Sequence, residues 1–516
     1  MKKIKYVLIF LLVQNICISQ NVLISSENFP NETSISMDPK HPNVVIAAAN
    51  LNNYYISLDT GHTWSEHTQS SSYGVWGDPC IAVDTSSNFY FFHLSNPSDG
   101  NWIDRIVCQK TIDNGTTWPQ ESYTGLNGEK VQDKQWCAVD RSNNNLYITW
   151  TQFDDYGSSS PLDSSVILFS KSLDGGISWS TPKRINKVAG DCIDSDNTVE
   201  GAVPTVGPNG EIYVGWAGSD GLVFNKSLDQ GETWLEDELQ VSEIPSGWDF
   251  NVDGISRCNG LPITACDVSG GANNGTIYIN WSDQRNGESN TDIWLTKSID
   301  GGDTWSIPTK VNNDTTTNQQ FFTWMAIDQT NGYLYFVFYD RRNYSDLSTD
   351  VYLARSTDGG NTFVNRKISE SPFLPNSDVF FGDYTNITAH AGIVRPIWTR
   401  LNNGNLSVWT DTTPSENFAT STNPLENKFL EFETFPNPTD KVVFVSYKLH
   451  EKCVVDLSIF DSKGAVISKI INAQQKSYGK YVERINVNDL GILAGNYFLK
   501  LQIDGKIAIV KLIVVP

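Results

Sequence analysis

Six aspartates of this chain stand in one repeated phrase, S-x-D-x-G-x-T-W, and each has a hydroxyl-bearing residue two positions before it. A carboxylate beside a hydroxyl is a pairing used in acid–base and nucleophilic chemistry. The same pairing also closes tight turns, because a short Asp side chain accepts hydrogen bonds from the backbone N–H groups that follow it. Six equivalent copies favour the structural interpretation. They are Ser57–Trp64, Thr111–Trp118, Ser172–Trp179, Ser227–Trp234, Ser298–Trp305 and Ser356–Phe363.

The phrase returns roughly every 45–65 residues, which is the period of propeller blades. Three strand patterns precede the phrase in each unit, and a fourth follows it. Four antiparallel strands make one propeller blade. The last unit lacks its fourth strand, whereas residues 22–27 match a fourth strand alone, so we expect the N-terminal strand to close the ring. The sequence predicts an all-β, seven-bladed propeller, with six blades as the alternative. The blades begin near Ser34, Asp78, Lys134, Glu200, Gly260, Phe321 and Asp383.

The loops on the face opposite the repeated turns hold the candidate binding residues, since ligands of such a ring sit at the mouth of its channel. Arg285 and Arg342 occupy matching positions in neighbouring blades, and Arg400 lies close to that position in the next. The segments "SDQR" and "YDRR" also suit local ion pairs, because each places an Asp within two residues of an Arg. Three aspartates stand just ahead of first strands: Asp78, Asp133 and Asp383.

One loop has the pattern of a cation site. The segment "DFNVDG", residues 249–254, fits the opening of a calcium loop, in which alternate oxygen ligands surround the ion and a Gly permits the turn. Position twelve is Gly260 and not Glu, which excludes an EF-hand. Calcium is therefore a candidate cofactor, an Asx-rich turn is the alternative, and the candidate ligands are Asp249, Asn251 and Asp253.

The first residues of the chain indicate an exported protein. Residues 1–20 combine a charged start, a short apolar run and small residues, which is typical of a cleaved signal peptide. No later apolar run is long enough for a transmembrane anchor. The formal net charge of −22 disfavours nucleic acid as a partner, because an acidic surface repels phosphate backbones.

The cysteines predict disulfides in an oxidising compartment. Six of the eight lie between Cys80 and Cys266 and could form up to three bridges. Cys258 with Cys266 is the pairing we expect.

The repeated phrase resembles the Asp-box, or bacterial neuraminidase repeat, and residues 21–412 therefore resemble the sialidase superfamily. This resemblance implies a secreted glycoside hydrolase of the exo-sialidase type, acting on extracellular glycans. Three arginines would hold the substrate carboxylate, a Tyr activated by Glu would be the nucleophile, and an Asp would be the acid/base. The matching candidates are Arg285, Arg342 and Arg400 for the clamp, Tyr384 as nucleophile, Glu200 as its partner and Asp78 as acid/base. The Arg-Ile-Pro signature that precedes the first Asp-box in sialidases is missing.

Two other functions remain open. A polysaccharide lyase on a seven-bladed propeller would need a His or Tyr near an Arg that neutralises a uronate, and His93, Tyr156 and Arg105 are the candidates. A propeller that binds glycan or protein without catalysis would use exposed tryptophans as stacking surfaces.

A polar linker, residues 413–431, precedes a different segment. Residues 432–516 contain alternating-strand patterns after "FPNP" and resemble the C-terminal sorting domain of type IX secretion substrates. The resemblance implies a small β-sandwich, recognition by the type IX machinery, passage through the periplasm and outer membrane, and a secreted or surface location. A plain accessory β-sandwich is the alternative.

Overall fold

A computed structural model describes residues 21–414, 432–449, 452–461, 465–503 and 506–515. These residues contain strands and turns but no α-helix, so none of them forms a helix that could cross a membrane. The chain divides into two compact units between residues 415 and 416, inside the predicted linker. The predicted signal peptide and most of that linker lie outside the described residues.

Thirty strands form the first unit. In chain order they are β1 (Asn21–Ser25), β2 (Ser34–Met37), β3 (Val45–Ala49), β4 (Asn53–Ser57), β5 (Ser65–Thr68), β6 (Gly77–Val83), β7 (Phe89–Leu94), β8 (Ile106–Thr111), β9 (Gln120–Thr124), β10 (Val131–Val139), β11 (Leu146–Phe153), β12 (Ser165–Ser172), β13 (Lys183–Arg184), β14 (Glu200–Val206), β15 (Ile212–Gly218), β16 (Gly221–Ser227), β17 (Leu239–Ser242), β18 (Asp249–Phe250), β19 (Cys258–Asn259), β20 (Ile263–Cys266), β21 (Ile277–Asp283), β22 (Asp292–Ser298), β23 (Thr309–Lys310), β24 (Gln320–Asp328), β25 (Tyr333–Asp340), β26 (Asp350–Ser356), β27 (Val364–Lys367), β28 (Asn386–His390), β29 (Ile393–Asn402) and β30 (Asn405–Asp411).

These strands form seven four-stranded antiparallel sheets within residues 21–414, besides the small hairpin β18–β19. Six sheets use consecutive strands, namely β2–β5, β6–β9, β10–β13, β14–β17, β20–β23 and β24–β27. The seventh has the order β1-β30-β29-β28 and joins the N-terminal strand to the last three, with Asn21 opposite Asp411. The first strands touch in succession, β2 to β6, β10, β14, β20, β24 and β28, and β28 also touches β2.

The core lies between adjacent sheets. Trp150, Trp216, Trp281 and Trp398 lie on the second strands of four sheets and are almost completely buried. One apolar cluster joins Tyr147 and Ile167 of one sheet to Ile212 and Val214 of the next. A second strand is buried on both faces because a sheet covers each of them, which explains why every residue of β7 is buried. Fourth strands such as β5 are exposed.

The six repeated phrases close the hairpins between third and fourth strands. In the first, Ser57 donates a hydrogen bond from Oγ to Asp59 Oδ1 at 2.8 Å, and Asp59 accepts bonds from Thr63 N at 2.9 Å and Thr63 Oγ1 at 2.7 Å. Gly61, at φ +86°, donates its N–H to Ser57 Oγ. The same Ser/Thr-to-Asp bond recurs at Asp113, Asp174, Asp229, Asp300 and Asp358. Each of these carboxylates therefore accepts hydrogen bonds from residues of its own turn.

The disulfide prediction is wrong for this structure, since all seven cysteines of the described residues are free thiols. Cys258 pairs with Phe250 in the β18–β19 hairpin. Cys266 lies at the far end of β20, opposite Ile277. Although Cys258 and Cys266 are close in sequence, they are therefore not close in space, because an extended strand of four residues spans roughly 13 Å.

The described strands of the second unit are β31 (Glu433–Phe435), β32 (Val442–Leu449), β33 (Cys453–Phe460), β34 (Val466–Lys476), β35 (Gly479–Asn486), β36 (Gly495–Ile503) and β37 (Lys506–Val514). They form two antiparallel sheets with the orders β31-β32-β35 and β34-β33-β36-β37. The buried core includes Val443, Val455, Leu457, Leu499 and Leu512.

Candidate functional site

An open cavity of about 400 Å³ lies where the first strands of the first unit begin. Charged side chains line it together with aromatic ones. The charged group comprises Glu32, Asp78, Asp133, Lys134 and Arg257, and the aromatic group comprises Phe29, Trp76, Trp102, Tyr156 and Phe380.

Backbone bulges orient two of these side chains, those of Asp78 and Lys134. In four first strands the pairing register shifts just before the regular ladder begins. The residue at the shift has a positive φ: +50° at Asp78, +52° at Lys134, +71° at Gly201 and +49° at Phe322. Such values are strained for residues with a Cβ, and bulges of this kind redirect a side chain next to a functional site.

Position along the strands explains how the charged residues meet. Seven residues occupy equivalent positions: each lies two residues before the pair at which the regular ladder of its first strand starts, which in four strands is the first pair after the bulge. One side of the series is charged and the other is mainly apolar. The members are Glu32, Asp78, Lys134, Gly201, Leu261, Phe322 and Tyr384.

Lys134 is the central cation of the cluster. Its Nζ lies 2.8 Å from Asp383 Oδ2, 3.4 Å from Asp78 Oδ2 and 4.0 Å from Glu32 Oε1. Burial alone would lower the pKa of Lys134, but the carboxylates, Asp383 foremost, raise it well above its ordinary value. Lys134 therefore stays charged inside the protein.

Arg257 is the second cation. It forms a two-pronged ion pair with Asp383, through Nε at 2.9 Å from Oδ1 and through Nη2 to Oδ2. Its Nη1 donates to Asp194 Oδ2 at 2.9 Å, and Tyr156 donates its phenol to the same oxygen at 2.5 Å. Both cations of the cavity thus have acidic partners.

The carboxyl groups hold their protons differently. Burial raises the pKa of Asp133 to about 7, although Lys134 opposes the shift. Burial, and next the charge of Asp78, raises the pKa of Glu32. Burial would also raise the pKa of Asp383, but Lys134 and Arg257 outweigh it and hold this pKa well below its ordinary value. Asp133 and Glu32 therefore bind protons more tightly than Asp383 does.

Three of the six sequence-predicted catalytic residues lie at or near this cavity. Asp78 lines it. Tyr384 is buried against Trp136 and Trp324, with ring centroids 5.1 Å and 6.0 Å away, and burial raises its pKa. Glu200 is 1% exposed, its Oε1 accepts no hydrogen bond from the described residues, and burial followed by the charge of Asp194 raises its pKa.

The three predicted clamp arginines do not converge. Arg285 pairs with Asp283 at 2.9 Å and covers the Trp294 ring. Arg342 pairs with Asp340 at 2.8 Å and covers the Tyr352 ring. Arg400 donates to Ser371 and to the carbonyl of Pro372 and stacks on Trp409. Each is held by its own sheet and its near neighbours, so the expected three-arginine clamp is not assembled from these residues.

The lyase candidates are also dispersed. His93 is completely buried in β7, where its Nδ1 lies 2.8 Å from the Leu94 carbonyl oxygen, and burial lowers its pKa to about 4. Arg105 pairs with Asp104 at 2.8 Å and lies between the rings of Tyr73 and Tyr123. Only Tyr156 of the three lines the cavity.

The predicted calcium loop spans the β18–β19 hairpin, and its carboxylates have different surroundings. Asp249 lies near Asp196 and Asp194, whose charges add to burial in raising its pKa. Asp253 is an exposed residue close to Arg341 instead, and Asn251 is exposed. Among the described residues, no group of three or more His, Cys, Asp or Glu side chains is arranged to hold a metal ion. Calcium binding by this loop stays a prediction.

Two residues central to the cavity were not among the sequence-predicted site residues. Lys134 follows Asp133 in "QDKQW", and its place two residues before a ladder pair matches that of Asp78, so strand alignment could have found it. Arg257 lies in the irregular loop between β18 and β19, where no repeat pattern marks it.

Residues 433–515 match the family model of the secretion system C-terminal sorting domain. The second unit is a sorting domain. It directs the chain by the type IX route to the cell surface or the medium.

The chain is also similar to proteins that act on carbohydrates. A sialidase of Bacteroides fragilis is 26% identical over 317 residues, which cover 54% of this chain and 52% of the relative. The xyloglucanase Xgh74A of Acetivibrio thermocellus is 21% identical over 347 residues, covering 62% and 36%. The chain thus spans about half of the first relative and about a third of the second. The sialidase of Trypanosoma rangeli in complex with DANA aligns with a TM-score of 0.42 and 12% identity over 86% of both chains.

Proposed function

We propose that residues 21–414 form a seven-bladed propeller, closed by β1, that binds an extracellular glycan in the cavity and hydrolyses a glycosidic bond. The seven sheets and the contacts of their first strands support the ring. Similarity to a sialidase and to a xyloglucanase supports a glycan as the ligand. The exported location supports an extracellular substrate.

One observation carries the hydrolytic proposal: Asp133, with its raised pKa, and Asp78, ion-paired to Lys134, line the same cavity. Glycosidases need one carboxylic acid that protonates the leaving oxygen and one carboxylate on the other side of the bond. Asp133 is the acid and Asp78 the base. As the glycosidic C–O bond breaks, the leaving oxygen takes the proton of Asp133, and the attacking water gives a proton to Asp78 while its oxygen bonds to the anomeric carbon.

The test compares Asp133→Asn and Asp78→Asn with Asp99→Asn, which changes an exposed loop residue. We expect the first two to lower the release of reducing sugar at least about 100-fold, because each removes a positioned proton donor or acceptor. The control variant should keep its activity. Unchanged hydrolysis by Asp133→Asn would refute the proposed role of this residue.

The exo-sialidase form of this proposal needs a different clamp from the predicted one. Arg285, Arg342 and Arg400 are held apart in separate contacts, and Arg257 lines the cavity with two acidic partners. We therefore base the proposal on the two carboxyls and not on arginine recognition. This choice is checked by measuring the release of sialic acid from sialyllactose in parallel with the hydrolysis of uncharged oligosaccharides.

A second candidate function is glycan binding without catalysis. Lys134 contacts three carboxyls of the cluster, and such a buried cation favours a structural role for them. The two functions separate in one experiment with the unaltered protein. Saturable binding of a glycan with no product after prolonged incubation supports binding alone, whereas product formation supports the hydrolase.

A further inference from the structure

The aromatic residues that line the cavity are here called the aromatic rim: Phe29, Trp76, Trp102, Tyr156 and Phe380. The rings of Trp76 and Trp102 lie 5.9 Å apart, and those of Trp102 and Tyr156 lie 5.7 Å apart. Trp76 is 38% exposed and Trp102 is 40% exposed, whereas the other tryptophans of this unit are buried or half-buried. Adjoining exposed aromatic rings at a cavity mark a binding surface for a partly apolar ligand.

The rim residues come from separate loops. Phe29 follows β1, Trp76 precedes β6, Trp102 lies between β7 and β8, and Phe380 precedes β28. Their meeting at one opening is therefore a property of the ring and not of one hairpin. Trp76 and Trp102 line the same cavity as Asp78 and Asp133, and its volume of about 400 Å³ leaves room for more than one sugar ring.

The charges of the cavity argue against an acidic ligand. Glu32, Asp78 and Asp133 line it, and both of its cations already face acids, Lys134 with Asp383 and Arg257 with Asp383 and Asp194. A uronate or sialate would have to compete with these acids for the same cations, and separating the buried Lys134–Asp383 pair is costly. Sugar hydroxyls, in contrast, donate hydrogen bonds to carboxylate oxygens without such an exchange.

An amide acceptor adds to this preference. Asn31 lines the cavity and is 7% exposed, and its Oδ1 accepts no hydrogen bond from the described part of the chain. A carbonyl oxygen accepts a bond from a hydroxyl but offers nothing to a carboxylate.

We propose that the cavity selects an uncharged oligosaccharide of at least two sugar rings, one above Asp78 and Asp133 and one stacked on Trp102 beside the edge-on Trp76. This substrate class rests on the proposed function for the position of the scissile bond. Recognition by the rim does not require turnover.

The experiment uses the full chain with Asp133→Asn, so that binding is measured without cleavage. The probes are matched pairs: lactose with sialyllactose, and methyl-esterified with free oligogalacturonate, together with xyloglucan and mannan oligosaccharides. Titration calorimetry and tryptophan fluorescence report binding. We expect at least one neutral probe to bind, each acidic member to bind at least tenfold more weakly than its neutral counterpart, and the neutral affinity to be insensitive to salt.

Variants of the rim provide the second arm. Trp102→Ala should lower the affinity for the neutral probe at least tenfold, whereas Trp102→Phe, which keeps an aromatic ring, should retain most of the affinity. Tyr478→Ala removes a 70% exposed aromatic of the second unit and serves as the control. Thermal unfolding shows whether each variant is folded.

The outcomes separate the two proposals. Tighter, salt-sensitive binding of a sialylated or uronate probe overturns the neutral class but leaves hydrolysis open. If Trp102→Ala leaves the affinity for the neutral probe unchanged, the proposed role of the aromatic rim is overturned. Neutral binding as expected, with no cleavage by the unaltered protein, supports the substrate class and contradicts the hydrolase. Failure of every probe to bind contradicts both.

Discussion

The Nζ atom of Lys134 lies 2.8 Å from Oδ2 of Asp383, although Lys134 lies at the bulge of β10 and Asp383 stands ahead of β28, in a different sheet. Their side chains are 7% and 1% exposed. This contact joins the two sheets through one buried charge pair. Arg257 adds its guanidinium to the same carboxylate and thereby ties the loop between β18 and β19 to the segment before β28.

Removal of the buried cation should destabilise the protein. Lys134→Met leaves Asp78 and Asp383 without their shared partner, and we expect a loss of about 3–5 kcal/mol in the free energy of unfolding. Lys187→Met is the control, because Lys187 pairs with Asp237 and both side chains are more than half exposed. Urea unfolding measures both. Equal effects of the two variants would contradict the assigned role of Lys134.

Stability should depend on pH through Asp133. Its pKa is about 7 in the folded protein and about 4 in an unfolded chain. The folded state therefore binds the proton more tightly, and the stabilisation is complete below pH 4 and lost as the pH rises through 7. Asp133→Asn removes this dependence, so its melting temperature relative to the unaltered protein should rise between pH 5 and pH 8. A constant difference across that range would refute the raised pKa.

The aspartates of the repeated phrase should be structural. Asp174 accepts bonds from Ser172, Ile177 and Ser178, and although burial opposes the shift, the Ser178 hydroxyl and its other donors lower its pKa to about 2. Asp174→Ala should cost about 1–2 kcal/mol in unfolding free energy and leave glycan hydrolysis unchanged. The exposed Asp99→Ala is the matched control. A loss of turnover in a folded Asp174→Ala protein would assign these residues to chemistry instead.

The N-terminal strand should hold the seventh sheet together. Ile24 is 3% exposed and packs in a cluster with Ile397 and Val408. Ile24→Asp places a charge in this core and removes apolar contacts, and we expect a loss of about 3 kcal/mol or more. Leu23→Asp is the control, since Leu23 is 46% exposed. Similar melting temperatures for the two variants would contradict the packing of β1.

The cysteines should react as thiols. After denaturation without reductant, alkylation followed by mass spectrometry should label all seven from Cys80 to Cys453. Resistance of Cys258 and Cys266 to labelling, reversed by reductant, would restore the predicted disulfide.

Local spacing made some features predictable. The Ser-to-Asp bonds of the repeated turns span two residues, as between Ser57 and Asp59, so the phrase alone reveals them. The spacing of Asp283 from Arg285 and of Asp340 from Arg342 likewise allowed local ion pairs, and the structure contains them. A pair formed within two residues needs almost no loop closure, which is why it prevails over a shared distant clamp.

The amino-acid sequence by itself determined the all-β class, the repeated turns and the sorting domain, because each is written in residues close together in the chain. Only the tertiary structure decided which charges share the cavity. Lys134, Arg257 and Asp383 come from distant segments, and their meeting depends on how the sheets are arranged around their first strands. Burial and neighbouring charges, and not residue type, raise the pKa of Asp133 and lower that of Asp383.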